Sequence, residues 1–358
     1  MTIDLSQIDR EQFYVNEHIW NGDVLFLVTP RQIGVKWDNG NLHFRSSVWN
    51  HSGQPVSLSY KKFFNWGENH ELSPLPKDLN NTSIISKIDG STIIISKYKG
   101  KFLIRSRGTI NAYTLATGAE MDILKQKYPK LFEMDGHLET WDFSVITEYI
   151  SPNNQIVIRY DKVDFILTGL IFHNDYSLMP QDALNHLAKE LEMPRPEIFQ
   201  FSTIDDLLSN VDKWIGLEGV VAYVNSQQLL KIKAAKYLFL HRMKSELSSC
   251  EKIMDVWFSQ NKPSYLDFYN YIHNTFDYEL AEYCRENIKK IISAYEKVKD
   301  NISKMKEVVI PLLSLSRKDS ALIILEKYQC HSSYLFKLLS GKELDDKDIR
   351  KLLISFLE

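Results

Sequence analysis

Between residue 24 and about residue 110 the chain runs in short apolar or alternating stretches: VLFLV from Val24, LHFRSSVW from Leu42, STIIISKY from Ser91 and KFLIRSR from Lys101. Gly40, Gly53, Pro74, Pro76 and Gly100 punctuate them, which is the pattern of antiparallel strands and hairpins. Ile123, Leu124, Tyr128 and Leu131 then fall on one side of a helix expected over LATGAEMDILKQKYPKLFEM, residues 115–134. Strands resume at FSVITEYI, QIVIRY and DFILTGLIF, the first two joined by a turn through Ser151, Pro152, Asn153 and Asn154. One helix is expected around QDALNHLAKELEM, stopping before Pro194. A second, around TIDDLLSNVDKWI, opens on the capping-box-like pair Ser202 and Asp205. EGVVAYV and LLKIKAA read as the last strands, separated by Asn225 to Gln228. Beyond about residue 240 the alternation ends and a helical period takes over, through Ile288, Ile291, Ile292, Tyr295, Val298, Ile302, Met305 and Val309. The pattern predicts an α+β chain, with an antiparallel-sheet-rich domain over 1–240 and a small all-α domain over 241–358.

Composition adds three constraints. Aromatic residues at 12% and charged residues at 25% are those of a chain that folds and stays in water. No window is apolar for long enough to span a membrane, and MTIDLSQIDREQFYV lacks the basic-then-apolar order of a signal peptide, so a cytoplasmic protein is expected. Cys250, Cys284 and Cys330 are far apart and form no Cys-x-x-Cys pair, which points to buried free thiols rather than disulfides or a zinc site. The net charge of −3 gives no overall basic footprint for nucleic acid. Lysine and arginine do concentrate locally, at Lys87, Lys97, Lys99, Lys101, Arg105 and Arg107, and again at Lys231, Lys233, Lys236, His241, Arg242 and Lys244. On charge alone these read as solvated strand faces.

No phosphate-binding glycine loop, GxSxG elbow, HExxH pair or calcium loop is present. Candidate chemistry instead lies in an ordered series of lysines and carboxylates. Lys87-Ile88-Asp89-Gly90 sits between β-branched runs, where Asp-Gly signals a hairpin bend with Gly90 supplying permissive backbone. Glu148 comes late in a strand, Glu218 opens EGVVAYV, and Lys231 and Lys233 alternate in LLKIKAA. Alternation puts those two lysines on one face, where their mutual repulsion suits an anion between them. A near copy of the bend, Lys36-Trp37-Asp38-Asn39-Gly40, has no such residues downstream and reads as a turn only.

This ordered set, Lys87-Ile88-Asp89-Gly90, Glu148, Glu218-Gly219 and Lys231-Ile232-Lys233, resembles motifs of the covalent nucleotidyltransferases, which include RNA ligases, DNA ligases and capping enzymes. More narrowly it resembles the phage RNA ligase 1 family, through KKFFNWGEN, FLIRSRGT, TEYISPNNQIVIRY and LKIKAAKYLFLH over about residues 30–242. The resemblance implies an ATP-grasp-like nucleotidyltransferase domain followed by a helical domain associated with tRNA recognition.

It also implies roles. Lys87 attacks the α-phosphate of ATP and forms a lysine–AMP phosphoramidate, for which its amine must be neutral, a state that nearby cations and Mg²⁺ favour. Asp89 and Gly90 shape the loop that holds it. Glu148 binds the ribose hydroxyls, and Glu218 helps hold Mg²⁺ or Mn²⁺. Lys231 and Lys233 neutralise charge on the α-phosphate, while Arg45, Lys62 and Arg107 face the phosphate tail. Tyr237 is equally a core residue or a contact to nucleotide or RNA. The aromatic residues Phe63, Phe64 and Trp66 read as packing.

The activity implied is an ATP-dependent RNA ligase joining 5′-phosphate and 3′-hydroxyl ends. Its expected partners are single-stranded RNA ends, as in a tRNA nicked in its anticodon loop, and a separate end-healing kinase/phosphatase. A monomer in the cytoplasm is expected, the host cytoplasm if the chain is phage-encoded. The rivals are a DNA ligase or capping-type enzyme, weakened by the helical sequence after Lys233 where an OB-fold would read as strands, and an inactive RNA-binding module.

Overall fold

The computed structural model describes residues 1–110, 120–134, 138–275 and 278–357, and the chain divides into two compact units, Met1–Phe239 and Leu240–Glu358. In the first unit, strands β1 (Phe13–Trp20), β2 (Asp23–Pro30), β3 (Ser47–Asn50) and β4 (Pro55–Leu58) make one antiparallel sheet in that order. The chain continues through β5 (Phe64–Asn65), β6 (Ser83–Ser86), β7 (Ser91–Tyr98), β8 (Lys101–Ser106), β9 (Phe143–Ile150), β10 (Asp164–Phe172), β11 (Ile198–Phe199), β12 (Gly219–Tyr223) and β13 (Leu229–Lys233). These form two more sheets, ordered β10-β9-β7-β8 and β11-β6-β12-β13-β5. Among the described strands only β5 and β13 pair in parallel.

The apolar run of β7 is explained by cover on both faces, which removes the need for polar alternation. Ile93 and Ile95 pack with Met121, Leu124 and Leu184 from the helices Glu120–Lys127 and Gln181–Glu190. Ile94 faces the opposite way, into a core shared with Val28, Trp49, Leu58, Ile85 and Leu229 of the other two sheets. The helix Ile204–Asp212 closes the back of the third sheet through Leu207 and Val211. Leu103 points with Leu25, Leu27 and Val48 into a smaller core at the first sheet.

Among its described residues the second unit is built of helices, without strands. The helix Tyr278–Leu312 is its spine: Ile288, Ile291, Val298, Met305 and Val309 are buried along one stripe against Trp257, Phe268, Ile272, Leu335 and Leu353. Ser249 and Ser316 start two of its helices by accepting hydrogen bonds from the backbone N–H of Lys252 and Asp319. No helix among the described residues is long and apolar enough to cross a membrane.

Several sequence expectations are corrected by local hydrogen bonding. The first part of LHFRSSVW is a 3₁₀ turn, Leu42–Arg45, because Asn41 bonds back to Asp38 and Lys36 and its carbonyl takes the Phe44 N–H; the strand starts at Ser47. Within the helix expected over 115–134, residues 115–119 lie outside the described residues, and the rest is two helices, Glu120–Lys127 and Pro129–Glu133. Tyr128 is non-helical before Pro129, whose ring disfavours helical backbone in the preceding residue. The cap expected at Ser202 falls one residue later: Thr203 accepts from Asp206 N–H, and Asp206 accepts from Ser202 N–H. QIVIRY is not a strand, since the N–H groups of Val157 and Ile158 go to the Asp89 carboxylate instead of a ladder. Of the thiols, Cys284 is buried, Cys250 half-buried and Cys330 exposed.

The largest correction concerns Asp89 and Gly90. They are not a hairpin bend: β6 and β7, which flank them, belong to different sheets, so residues 87–90 carry the chain from one sheet to the next. Neither residue has a positive φ. Gly90 is required by space, because a Cβ there would sit 2.3 Å from the Tyr149 carbonyl oxygen.

Candidate active site

The passage of residues 87–90 between sheets aims Lys87 into a cleft of about 190 Å³ lined by Arg45, Tyr60, Phe63, Lys87, Arg107, Glu148, Lys231 and Lys233 among others. The backbone at this point is tied down, with Lys87 N–H donating to the Gly219 carbonyl at 2.8 Å. Asp89 is the anchor beneath. Its buried carboxylate accepts from Val157 N–H, Ile158 N–H and the Tyr237 hydroxyl, each at 2.8 Å, and its own N–H donates to Tyr160 Oη. Tyr237 is therefore a core residue that also pins the loop, and its ring lies 4.9 Å from Lys233 Nζ.

Glu218 joins two of the lysines. It is only 3% exposed, with Oε2 at 2.7 Å from Lys87 Nζ and Oε1 at 2.8 Å from Lys233 Nζ. A buried carboxylate held by two ammonium groups is far better placed than an unpaired one, whose desolvation would cost several kcal/mol, on the order of the penalty for any lone buried ion. The expectation that Lys231 and Lys233 flank an anion together thus holds only for their shared face: Lys233 belongs to Glu218.

Glu148 faces the same cleft from β9. Register places it opposite Thr92 of β7, whose hydroxyl donates to Glu148 Oε2 at 3.1 Å. Burial pushes its carboxyl up to about 7, with the Lys87 ammonium pulling the other way. Lys231 has the opposite history. Burial, then Arg45, Lys62 and Lys233, push its ammonium down to about 8, and Arg45 is pushed down to about 10 by burial and by Arg107. Among the described residues Arg45, Arg107 and Lys231 have no carboxylate within ion-pair distance. Arg45 and Lys231 instead lie over the same ring, 5.0 and 5.4 Å from the Phe63 centroid. Arg45 and Lys231 are desolvated positive charge, and the exposed Arg107 stands with them beside open space, an arrangement that favours a polyanion.

Lys62 stands apart. It lines a neighbouring cavity of about 260 Å³ with Lys61, Phe64, Tyr176 and Gln227, a cavity that shares Tyr60, Phe63 and Leu229 with the cleft. It is 3.8 Å from Glu68, and burial lowers its pKa. The structure thus brings Lys87, Glu148, Glu218, Lys231, Lys233, Arg45 and Arg107 together, sets Asp89 and Gly90 underneath, and places Lys62 at the neighbouring cavity over the Phe64 ring.

Phe63 itself escaped sequence reasoning, because an aromatic residue between lysines reads as packing. Tyr60, Tyr223 and Thr168 also escaped it. Tyr60 and Tyr223 share a hydrogen bond of 2.9 Å, and the Tyr223 hydroxyl donates to the Thr168 carbonyl at a bulge in β10. Gly169 completes the bulge, since a Cβ there would lie 2.3 Å from Tyr60 Oη. Thr92 could have been found by pairing STIIISKY with FSVITEYI.

Among the described residues no group of three or more His, Cys, Asp or Glu side chains is arranged to hold a metal. Both Glu218 oxygens are engaged by Lys87 and Lys233, so a Mg²⁺-type ion held there would take the place of one ammonium group and draw its other ligands from phosphate oxygens and water rather than an all-protein cage.

The chain is similar to several known proteins. Residues 45–248 match the model of a family described as RNA ligase. A Thermovibrio ammonificans protein provisionally named an RNA ligase is 24% identical over 172 residues, 48% of this chain and 44% of that relative, so the match spans less than half of the relative's length. Two solved structures are also similar. An archaeal ATP-dependent RNA ligase has 12% identity and a TM-score of 0.46 over 92% of this chain and 93% of its own. A Naegleria gruberi RNA ligase mutant with ATP and Mn has 13% identity and a TM-score of 0.42 over 65% and 81%.

Proposed function

We propose that this chain, which belongs to the RNA ligase family, is an ATP-dependent ligase that joins RNA 5′-phosphate and 3′-hydroxyl ends through covalent AMP on Lys87. The observation that carries the reading is the Lys87–Glu218–Lys233 arrangement at a cleft whose other cations, Arg45, Arg107 and Lys231, lack carboxylate partners.

The proposed reaction has three steps. In the first, Lys87 Nζ bonds to the α-phosphorus of ATP and the bond to pyrophosphate breaks. The amine sheds its proton before attack, and Glu218 Oε2, already in hydrogen-bond contact, is placed to take it. Arg45, Arg107 and Lys231 stabilise charge on the phosphates, and Lys233 balances Glu218. In the second, an oxygen of the RNA 5′-phosphate attacks the same phosphorus and the N–P bond breaks, leaving AMP on the RNA end. In the third, a 3′-hydroxyl attacks that 5′-phosphate and AMP departs. Glu148, near neutrality in its titration, accepts or donates hydrogen bonds to the ribose hydroxyls. Glu218 would hold a Mg²⁺ or Mn²⁺ ion, which neutralises phosphate charge when bound. Lys62, whose charge acts on Arg45 and Lys231, adds to the positive wall that the phosphate tail would face.

The unit Met1–Phe239 is then the adenylyltransferase and Leu240–Glu358 contributes to RNA recognition, with tRNA broken in the anticodon loop, healed by a separate kinase/phosphatase, as the substrate. Incubation of a 5′-phosphorylated single-stranded RNA with the protein, ATP and Mg²⁺ should give a sealed product. Sealing of nicked DNA but not RNA would move the assignment to DNA ligation, transfer of GMP would move it to capping, and RNA binding without any nucleotide transfer would make the chain a binding module.

A further inference from the structure

We infer that Arg105, which lies outside the cleft, is a positioning residue that holds Arg45 and Arg107 at the phosphate-binding wall. The inference rests on the reading of that cleft given above. Arg105 sits at the end of β8 and is fully buried, yet no carboxylate among the described residues lies within ion-pair distance of it. Its guanidinium is instead fully engaged with neutral groups. Nε donates to Ser57 Oγ at 2.8 Å, Nη1 to Ser46 Oγ at 2.7 Å and to the Ser106 carbonyl at 3.1 Å, and Nη2 to the Ser46 and Ser57 carbonyls at 3.3 and 3.0 Å.

The placement of these partners gives the arrangement its meaning. Ser46 follows Arg45 directly, and Ser106 precedes Arg107. Each cleft arginine is therefore one residue from an atom that Arg105 grips. Ser46 Oγ closes the circuit by donating to the Arg107 carbonyl at 2.7 Å. The fork of Arg105 thus staples the end of β8 to the start of β3 and to β4, whose Ser57 pairs with Val48. A rigid planar fork with five N–H donors can satisfy this many acceptors in fixed geometry, which a lysine cannot.

Stability alone does not account for it. Taking a guanidinium out of water without a counter-charge is costly, and apolar replacements of buried charges are often neutral or stabilising. Arg45 and Arg107 repel each other, so without an external tie they would separate in the free protein and lose phosphate affinity each time they had to be brought back. A tie made one residue away from each supplies that preorganisation.

The test separates nucleotide handling from general damage. Ser46→Ala removes the shared hydroxyl while keeping the carbonyl contacts, and Arg105→Met removes the fork while keeping volume. Each variant is assayed in two reactions, lysine adenylylation from ATP, which uses the triphosphate, and sealing of pre-adenylylated RNA, which does not. Ser46→Ala should raise KM for ATP about tenfold and change sealing of pre-adenylylated RNA by less than about twofold. Arg105→Met should push the same split further if it folds. An unchanged KM for ATP in Ser46→Ala, or an equal loss in both reactions, overturns the inference while wild-type labelling leaves the parent reading standing. A wild-type chain that takes no AMP from ATP overturns the parent reading, and this one with it.

Discussion

Lys87, Lys233, Arg45, Arg107 and Lys231 are all cations facing the same cleft, yet they fall into two groups whose circumstances differ. The first two share a buried carboxylate at 2.7 and 2.8 Å. The other three, Arg45, Arg107 and Lys231, have no carboxylate at ion-pair distance among the described residues; Arg45 and Lys231 lie over the Phe63 ring, and burial and neighbouring cations lower their pKa values. The difference teaches where the protein spends its order. On the proposed function, the paired cations fix the attacking amine in place before any substrate arrives, whereas the unpaired ones store positive charge that a polyphosphate would relieve.

The largest expected effect breaks the paired group at its centre. Lys87→Ala should cut AMP transfer from ATP by at least about 10³-fold, to background, while leaving the fold intact by circular dichroism. A smaller effect is expected among the unpaired cations. Arg45→Ala and Arg107→Ala should each raise KM for ATP by roughly ten- to a hundredfold in single-turnover labelling, with a smaller fall in the rate at saturation.

Stability should then move in opposite directions in the two groups. Lys233→Met leaves Glu218 with one partner and should destabilise the protein by about 1–3 kcal/mol in urea denaturation. Lys231→Met removes a desolvated, repelled cation and should be neutral or stabilising by up to about 1 kcal/mol. Equal losses would erase the distinction between the two groups.

The smallest effect is a pH dependence. Burial lifts the Glu148 carboxyl from its ordinary 4.5 to about 7, so between those values the folded chain keeps a proton that the unfolded chain has released. The stability this group contributes is full below pH 4.5 and is lost as pH rises through 7. Glu148→Gln lacks that slope, and its melting temperature relative to wild type should rise by roughly a few degrees from pH 5 to pH 8.

How much of this was legible beforehand depended on whether a residue's role is written in its neighbours along the chain. Lys87, Glu148, Glu218, Lys231 and Lys233 stand in an order that resembles the motifs of a known family, and the resemblance groups them. Arg105 does not, because a basic residue in an alternating strand looks solvated until the second sheet covers it. QIVIRY has the alternation of a strand, and only the distant Asp89 carboxylate, taking two of its N–H groups, prevents one. Gly90 was legible as an obligatory glycine, but for the wrong cause: the Asp-Gly pair looks like a hairpin turn locally, while the constraint is the Tyr149 carbonyl of another strand. Phe63 was set aside as packing since nothing in sequence shows that two cations share its face.

The central claim is that Lys87 forms the covalent bond to AMP. The direct measurement is mass spectrometry of peptides from the full chain after incubation with ATP and Mg²⁺. A single AMP adduct should map to Lys87, vanish on addition of pyrophosphate and pass to a 5′-phosphorylated RNA. An adduct on Lys36, Lys231 or Lys233 in its place, or no adduct in protein that seals RNA, would contradict the account.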